Sequence, residues 1–198
     1  MRLGMCLSVL VFFQLSATPA AIPDERIASQ ASAKSTKDSS DLLLPPSEDL
    51  SRAWDEIGGK LVEMAQDFPE DKYDFKVQKD QRTFAETILH IANDDFLAIT
   101  AVKGSQAGPD FHGEHPSRAV YKSKADVVKL LKDAVAAGSA VIKAQGDAGL
   151  DKAIFSPFTA DPVRVSTLWW SVIEDDGEHY GQLVVYYRAN NLVPPRSR

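Results

Sequence analysis

The run from Val163 to Pro195, VRVSTLWWSVIEDDGEHYGQLVVYYRANNLVPP, decides how the chain is read. Val165, Leu168, Trp169, Val172, His179, Leu183 and Tyr186 recur at helical spacing on one side, which predicts a helix from about Val163 to Ala189. Asn190 and Asn191 suit the left-handed conformation at a helix end, and Pro194 and Pro195 prevent continuation. Arg188 favours the dipole at that end. Arg164 stands at the unfavourable end, which points to a salt bridge or a ligand contact. Inside the helix Glu174, Asp175, Asp176 and Glu178 form a dense acidic cluster. Such a cluster repels itself unless a cation or a basic partner is near.

Three further stretches read the same way. Trp54, Ile57, Leu61, Met64 and Phe68 step by three and four, giving a helix over about Ser47–Phe68 that Pro69 ends. Tyr73 and Phe75 in the following PEDKYDFK are packing anchors. Phe84, Ile88, Ile91, Asp95, Ile99 and Val102 mark a second helix over about Asp80–Lys103, with Asp95 the one polar intruder. Val128, Leu131, Val135, Gly138 and Ile142 mark a third over about Lys124–Gln145, with Ser123 and Asp126 placed for a capping box and Gly146 as its stop. No segment has a convincing strand pattern. Four helices of about twenty residues, with a long connection near residues 104–122, predict an all-α four-helix bundle with a long crossover connection.

Ahead of the bundle, Arg2, the apolar run Leu7–Leu15 and the small residues Ala17, Thr18, Ala20 and Ala21 read as a secretory signal peptide over residues 1–21. Residues 22–41, rich in Ala, Ser, Lys and Asp, read as a disordered linker. The bundle domain then occupies residues 42–198. The expected location is outside the cytoplasm, periplasmic or extracellular, with no stable membrane span after cleavage. The single cysteine, Cys6, lies within the leader, so the mature chain has neither a disulfide nor a thiol nucleophile nor a thiolate metal site. With 198 residues, 44% apolar and 25% charged, the composition is that of a globular protein. A formal net charge of -6 argues against nucleic acid as a partner.

The four histidines are His90, His112, His115 and His179. His179 sits on the apolar stripe of its helix, either as a ligand or as a core histidine satisfied by a nearby acid. His90 stands off the main stripe of the second helix with Thr83, Thr87 and Asp94, on either a polar cleft or a solvated face. His112 and His115 lie in the loop GPDFHGEHPS, where an exposed polar loop is the plain reading and half a metal site the other.

Gly177–Pro195, GEHYGQLVVYYRANNLVPP, resembles the last helix of the DinB-like (DinB/YfiT) metal-binding superfamily. PEDKYDF with RTFAETILHIA, residues 69–75 and 82–92, and the order of elements over about residues 45–198 agree with it. The resemblance implies a four-helix bundle holding a divalent metal between helices through three histidines. His90 matches the second-helix ligand and His179 the final one. The position four before His179, a histidine in the family, is Asp175 here. Residues four apart share a helix face, so Asp175 and His179 can still address one ion with His90 opposite. Asp176 competes with Asp175 for that role, and Glu174 and Glu178 are candidates to orient an imidazole.

The implied cofactor is zinc or nickel, with iron or manganese also compatible with a His/carboxylate set. The implied function is a metal-dependent hydrolase or transferase on an unknown small molecule, the protein forming a homodimer. The alternative is a non-catalytic helical binding module with a degenerate site.

Overall fold

The computed structural model describes residues 43–111 and 115–198. The leader at 1–21, the linker at 22–41 and His112 therefore lie outside the described residues. Four helices form the bundle: α1 Pro46–Asp67, α2 Phe84–Lys103, α3 Lys124–Leu150 and α4 Val165–Ala189. Two short strands, β1 Ala153–Phe155 and β2 Pro162–Arg164, pair antiparallel between α3 and α4.

Helix α2 starts at Phe84, later than the expected Asp80. The reason is a closed capping box in which Thr83 Oγ1 accepts from Glu86 N and Glu86 Oε2 accepts from Thr83 N, at 3.1 and 2.7 Å. The next orphan donors are satisfied by the preceding loop, Phe84 N by Phe75 O and Ala85 N by Tyr73 O. Gly104, at φ 68°, ends the helix. Ser123 and Asp126 cap α3 as the sequence predicts. Gly146 does break the helical path, at φ 57° and ψ -175°, but the chain turns helical again to Leu150, so the element outruns its expected end. The strands were not foreseen: three residues apiece are too short to establish an alternating pattern. Arg164 approaches Asp151 at 4.0 Å, an exposed pair of little energetic weight.

Contacts between the ends of elements fix the helix directions. Lys124 Nζ donates to Phe68 O and Ser47 N to Asp147 Oδ1, so α3 runs antiparallel to α1. Phe84 stacks on Phe68 with ring centroids 3.9 Å apart, so α2 also runs back from the end of α1. Tyr187 OH donates to Met64 O at 2.8 Å, which makes α4 parallel to α1. Around the bundle the order is α1, α3, α2, α4. Helices α2 and α3 are therefore parallel neighbours, and residues 104–123 must cross back along the bundle to join them.

Two aromatic clusters set the packing. At one end Phe68, Tyr73, Phe84, Tyr186 and Tyr187 form a continuous group. Burial pushes the phenols of Tyr73 and Tyr187 upward, so both remain neutral donors, Tyr73 to Ala65 O and Tyr187 to Met64 O. Towards the other end Trp54 meets Trp169 edge-on at 5.2 Å and donates to Val135 O at 2.8 Å. Gly138 makes this seat, since a methyl group there would run into the Trp54 indole. No helix of the described residues is long and apolar enough to cross a membrane.

Two glycine substitutions separate packing from backbone effects. Gly138→Ala should cost about 1–3 kcal/mol in urea unfolding by displacing Trp54. Gly59→Ala, on α1 with open space around it, should stabilise by about 0.5–1 kcal/mol. Equal effects would refute the assignment of Gly138 to the indole seat.

Candidate metal centre

Antiparallel packing of α2 and α4 brings together residues 89 positions apart in sequence. Counting from Thr83, His90 lies two turns into α2, and His179 lies in the middle of α4. Their rings stand edge-on, centroids 4.9 Å apart. Each imidazole has an aspartate one helical turn away on its own helix. His90 Nε2 is 3.5 Å from Asp94 Oδ2, and His179 Nε2 is 3.4 Å from Asp175 Oδ2. These separations exceed a good hydrogen bond. They match the spacing of two donors that share one tetrahedral ion at about 2.1 Å, which is about 3.4 Å.

The other nitrogen of His179 sharpens the point. Nδ1 lies 3.0 Å from Gln182 Oε1, which accepts from it in the tautomer protonated at Nδ1. In that tautomer Nε2 presents its lone pair towards Asp175 Oδ2, the arrangement that a cation between them would satisfy. Asp94 is oriented similarly, its Oδ1 accepting from Asn93 Nδ2 at 2.9 Å while Oδ2 faces His90. His90 Nδ1 is buried without a hydrogen-bond partner. Burial holds His90 below the usual imidazole value, with Arg82, His179 and His115 adding to the effect and Asp94 opposing it. A neutral imidazole is the form that binds metal. The donor set thus fits a divalent ion.

His115, from the crossover loop, reaches this centre as well. Its ring is 5.5 Å from that of His90. Ligand atoms of His90, Asp94 and His115 all lie within 4.8 Å of one another. The plain reading of this loop as exposed polar chain is accurate for exposure, since His115 is exposed, but incomplete for position. The sequence places Asp94 with His90 on the polar side of α2 without marking it as a site residue, although its position four after His90 mirrors Asp175 and His179. Gln182, three after His179, gave no comparable signal. Thr83 and Thr87, which flank His90 on its polar side, are buried, while His90 and Asp94 are half-buried, so that side is a polar cleft and not a solvated face.

Of the two rival aspartates, Asp175 faces His179, whereas Asp176 turns inward and is 3% exposed. Asp95 is 0% exposed, and neither of its carboxylate oxygens has a partner. Burial first, then the charges of Asp176, Asp94 and Asp175, pushes Asp95 well above the usual carboxylate range. Burial, Asp175 and Asp94 do the same to Asp176. Glu174 and Glu178 are exposed and make no contact with either imidazole among those described.

The sequence profile of the DinB superfamily matches residues 53–183. The chain belongs to the DinB superfamily. Two solved structures of this DinB fold are similar over most of the chain. A DinB-like protein from Bacillus cereus shares 15% identity at a TM-score of 0.64, covering 75% of this chain and 95% of its own. YfiT from Bacillus subtilis, described as a probable metal-dependent hydrolase with an unusual four-helix bundle topology, shares 10% identity at a TM-score of 0.60. That match covers 81% of this chain and 93% of YfiT. A search of curated proteins gives no match. At these identities the DinB relatives establish the fold, and the group of His90 and Asp94 on α2 with His115 on the crossover loop is of the kind that could hold a metal ion.

The buried acids of this DinB domain give a pH test. Asp95 keeps its proton in the folded state above about pH 4, where an unfolded aspartate loses it. The folded state then binds more protons, so this residue's contribution to stability falls as pH rises through that window. In metal-free protein, the stability of Asp95→Asn relative to wild type should therefore increase from about pH 4 upward, read by urea unfolding. A difference that shrinks with rising pH would contradict the burial argument.

Proposed function

We propose that the chain holds one divalent ion between α2 and α4 through His90, His179 and Asp175, and that it is a metal-dependent hydrolase. The observation that carries the reading is His179. Its Nδ1 lies 3.0 Å from Gln182 Oε1, and its Nε2 faces the Asp175 carboxylate at 3.4 Å, the geometry of a ligand held in the Nδ1-protonated tautomer. The description of YfiT as a probable metal-dependent hydrolase supports the reaction class. Zinc or nickel is the proposed ion, since two imidazoles and a carboxylate suit either.

A bound divalent ion supplies Lewis-acid chemistry for hydrolysis. The protein's own residues do the rest. Gln182 fixes the tautomer of His179, and Asn93 orients Asp94. Asp94, with one oxygen engaged by Asn93 and the other directed into the centre, is placed to accept a proton from water. The leader read at residues 1–21 supports an exported location, where a hydrolase needs no cytosolic co-substrate.

A second arrangement is favoured by one observation, the grouping of His90, Asp94 and His115. It would hold the ion nearer the crossover loop, with His179 beside it. Substitutions separate the two arrangements.

Elemental analysis of protein purified without a histidine tag or chelator should find close to one zinc or nickel per chain. His179→Ala should lose the ion while retaining its helical circular dichroism, and Asp175→His should raise zinc or nickel affinity. Gln182→Ala should lower it by about 10- to 100-fold, as expected for a partner that orients a ligand. Loss of metal in His115→Ala with retention in His179→Ala would establish the second arrangement. No uptake of zinc, nickel, iron or manganese would reject metal dependence and leave a non-catalytic helical binding module.

A further inference from the structure

The carboxylates that flank the two imidazoles also form part of the wall of a cavity of about 450 Å³, between the β1–β2 hairpin and helices α2 and α4. Small-molecule sites span about 300–1,000 Å³. Asp94 and Asp175 place the metal centre at one side of this space. Phe158, Leu168 and Val172 supply apolar wall, and Thr167 and Ser171 supply hydroxyls. Among the described residues, none lining it is Lys, Arg or His.

The hairpin tip is a built feature. Ser156, itself buried, accepts at Oγ from Phe158 N and Thr159 N at 3.2 and 3.4 Å, and its own N–H donates to Asp161 O at 2.8 Å. Ala160 takes a positive φ of 61° to close the turn. These bonds hold Phe158 at the cavity, with 45% of its surface still exposed. An apolar ligand would cover that ring. Electrostatics supply the second half of the argument. Two aspartates balance a divalent ion, so the loaded centre has no surplus positive charge, and no cation in the wall offers to pair an anion. A separate opening at His90 and His115 differs in kind, being lined by Lys76, Arg82, Asp80 and Glu86. The apolar body of a ligand belongs on the hairpin side.

We propose that this cavity takes an uncharged ligand with an apolar body, such as an aliphatic ester or amide, its carbonyl directed to the metal centre, and that it discriminates against anionic ligands of the same length. The proposal rests on the metal-binding reading above.

Hydroxamates test it without requiring turnover, because their head group binds metal whatever the tail. Zinc-loaded full-length protein is titrated calorimetrically with acetohydroxamic acid, octanohydroxamic acid and the ω-carboxylate analogue suberic monohydroxamic acid. Octanohydroxamic acid should bind at least about tenfold tighter than either of the others, through methylene burial. Ser171→Trp, at an exposed wall position, should remove the octyl advantage and leave acetohydroxamic acid unchanged. Thr167→Lys, also exposed, should narrow the gap to the carboxylate analogue by at least about threefold. Acetohydroxamic acid binding with no gain for the octyl tail would overturn the cavity proposal and leave the metal reading standing. Equal binding of the neutral and anionic tails would overturn the charge selectivity. Failure to load zinc, with no hydroxamate bound, would overturn both.

Discussion

The antiparallel seam of α2 and α4 is the constraint on which the functional face depends. It places His90 beside His179 and turns Asp95 and Asp176 into the same interior, where like charges cannot both persist unneutralised. A seam of that kind is expensive to keep closed, and the closure comes from outside it. Phe84 at the head of α2 packs against Tyr186 and Tyr187 at the tail of α4, and Tyr186 OH donates to Arg82 O. This aromatic end fixes the register of the two helices, and the imidazoles meet two turns further along α2. The polar centre borrows its precision from apolar packing at a distance.

Much of the bundle is legible as periodicity because each helix buries one stripe. The limits were equally physical. Gly146 reads as a stop because glycine suits a helix end, and it does break the helix there, at φ 57°; what the pattern did not show is the further helical turn beyond it, where Gly149 and Leu150 are buried. The hairpin left no pattern because AIF and PVR are too brief. At the site, spacing placed Asp175 and His179 on one face but could not choose between Asp175 and Asp176, since neighbouring residues on a helix differ by only about 100° and the facing surface is unknown. For His115 the sequence offered only half a metal site shared with His112, and its place beside His90 was beyond reach because a loop's course has no period to read.

Membership in the DinB superfamily explains the architecture and leaves the chemistry to this chain's own residues. Identities of 10% and 15% with the two solved relatives coexist with a shared fold, as expected when apolar pattern is preserved and most other positions are free. Aspartate at position 175 stands where the resemblance implies a histidine, and in the proposed site it would, with Asp94, make the donor set harder and more acidic. The same pair borders the hairpin cavity, so a change of donor set also changes the electrostatics that a ligand meets there.

Parallel pairing of α2 and α3 has a consequence for how such proteins can diverge in length. Joining the end of α2 to the start of a parallel neighbour means retracing about 30 Å, the length of a 20-residue helix. A fully extended chain needs about nine residues for that distance. Connections between antiparallel helices can be trimmed to a tight turn, but this one has a floor. Residues 104–123 can therefore lengthen freely in evolution yet shorten only so far, and the histidine they carry past His90 travels on a strap that the topology itself obliges the protein to keep.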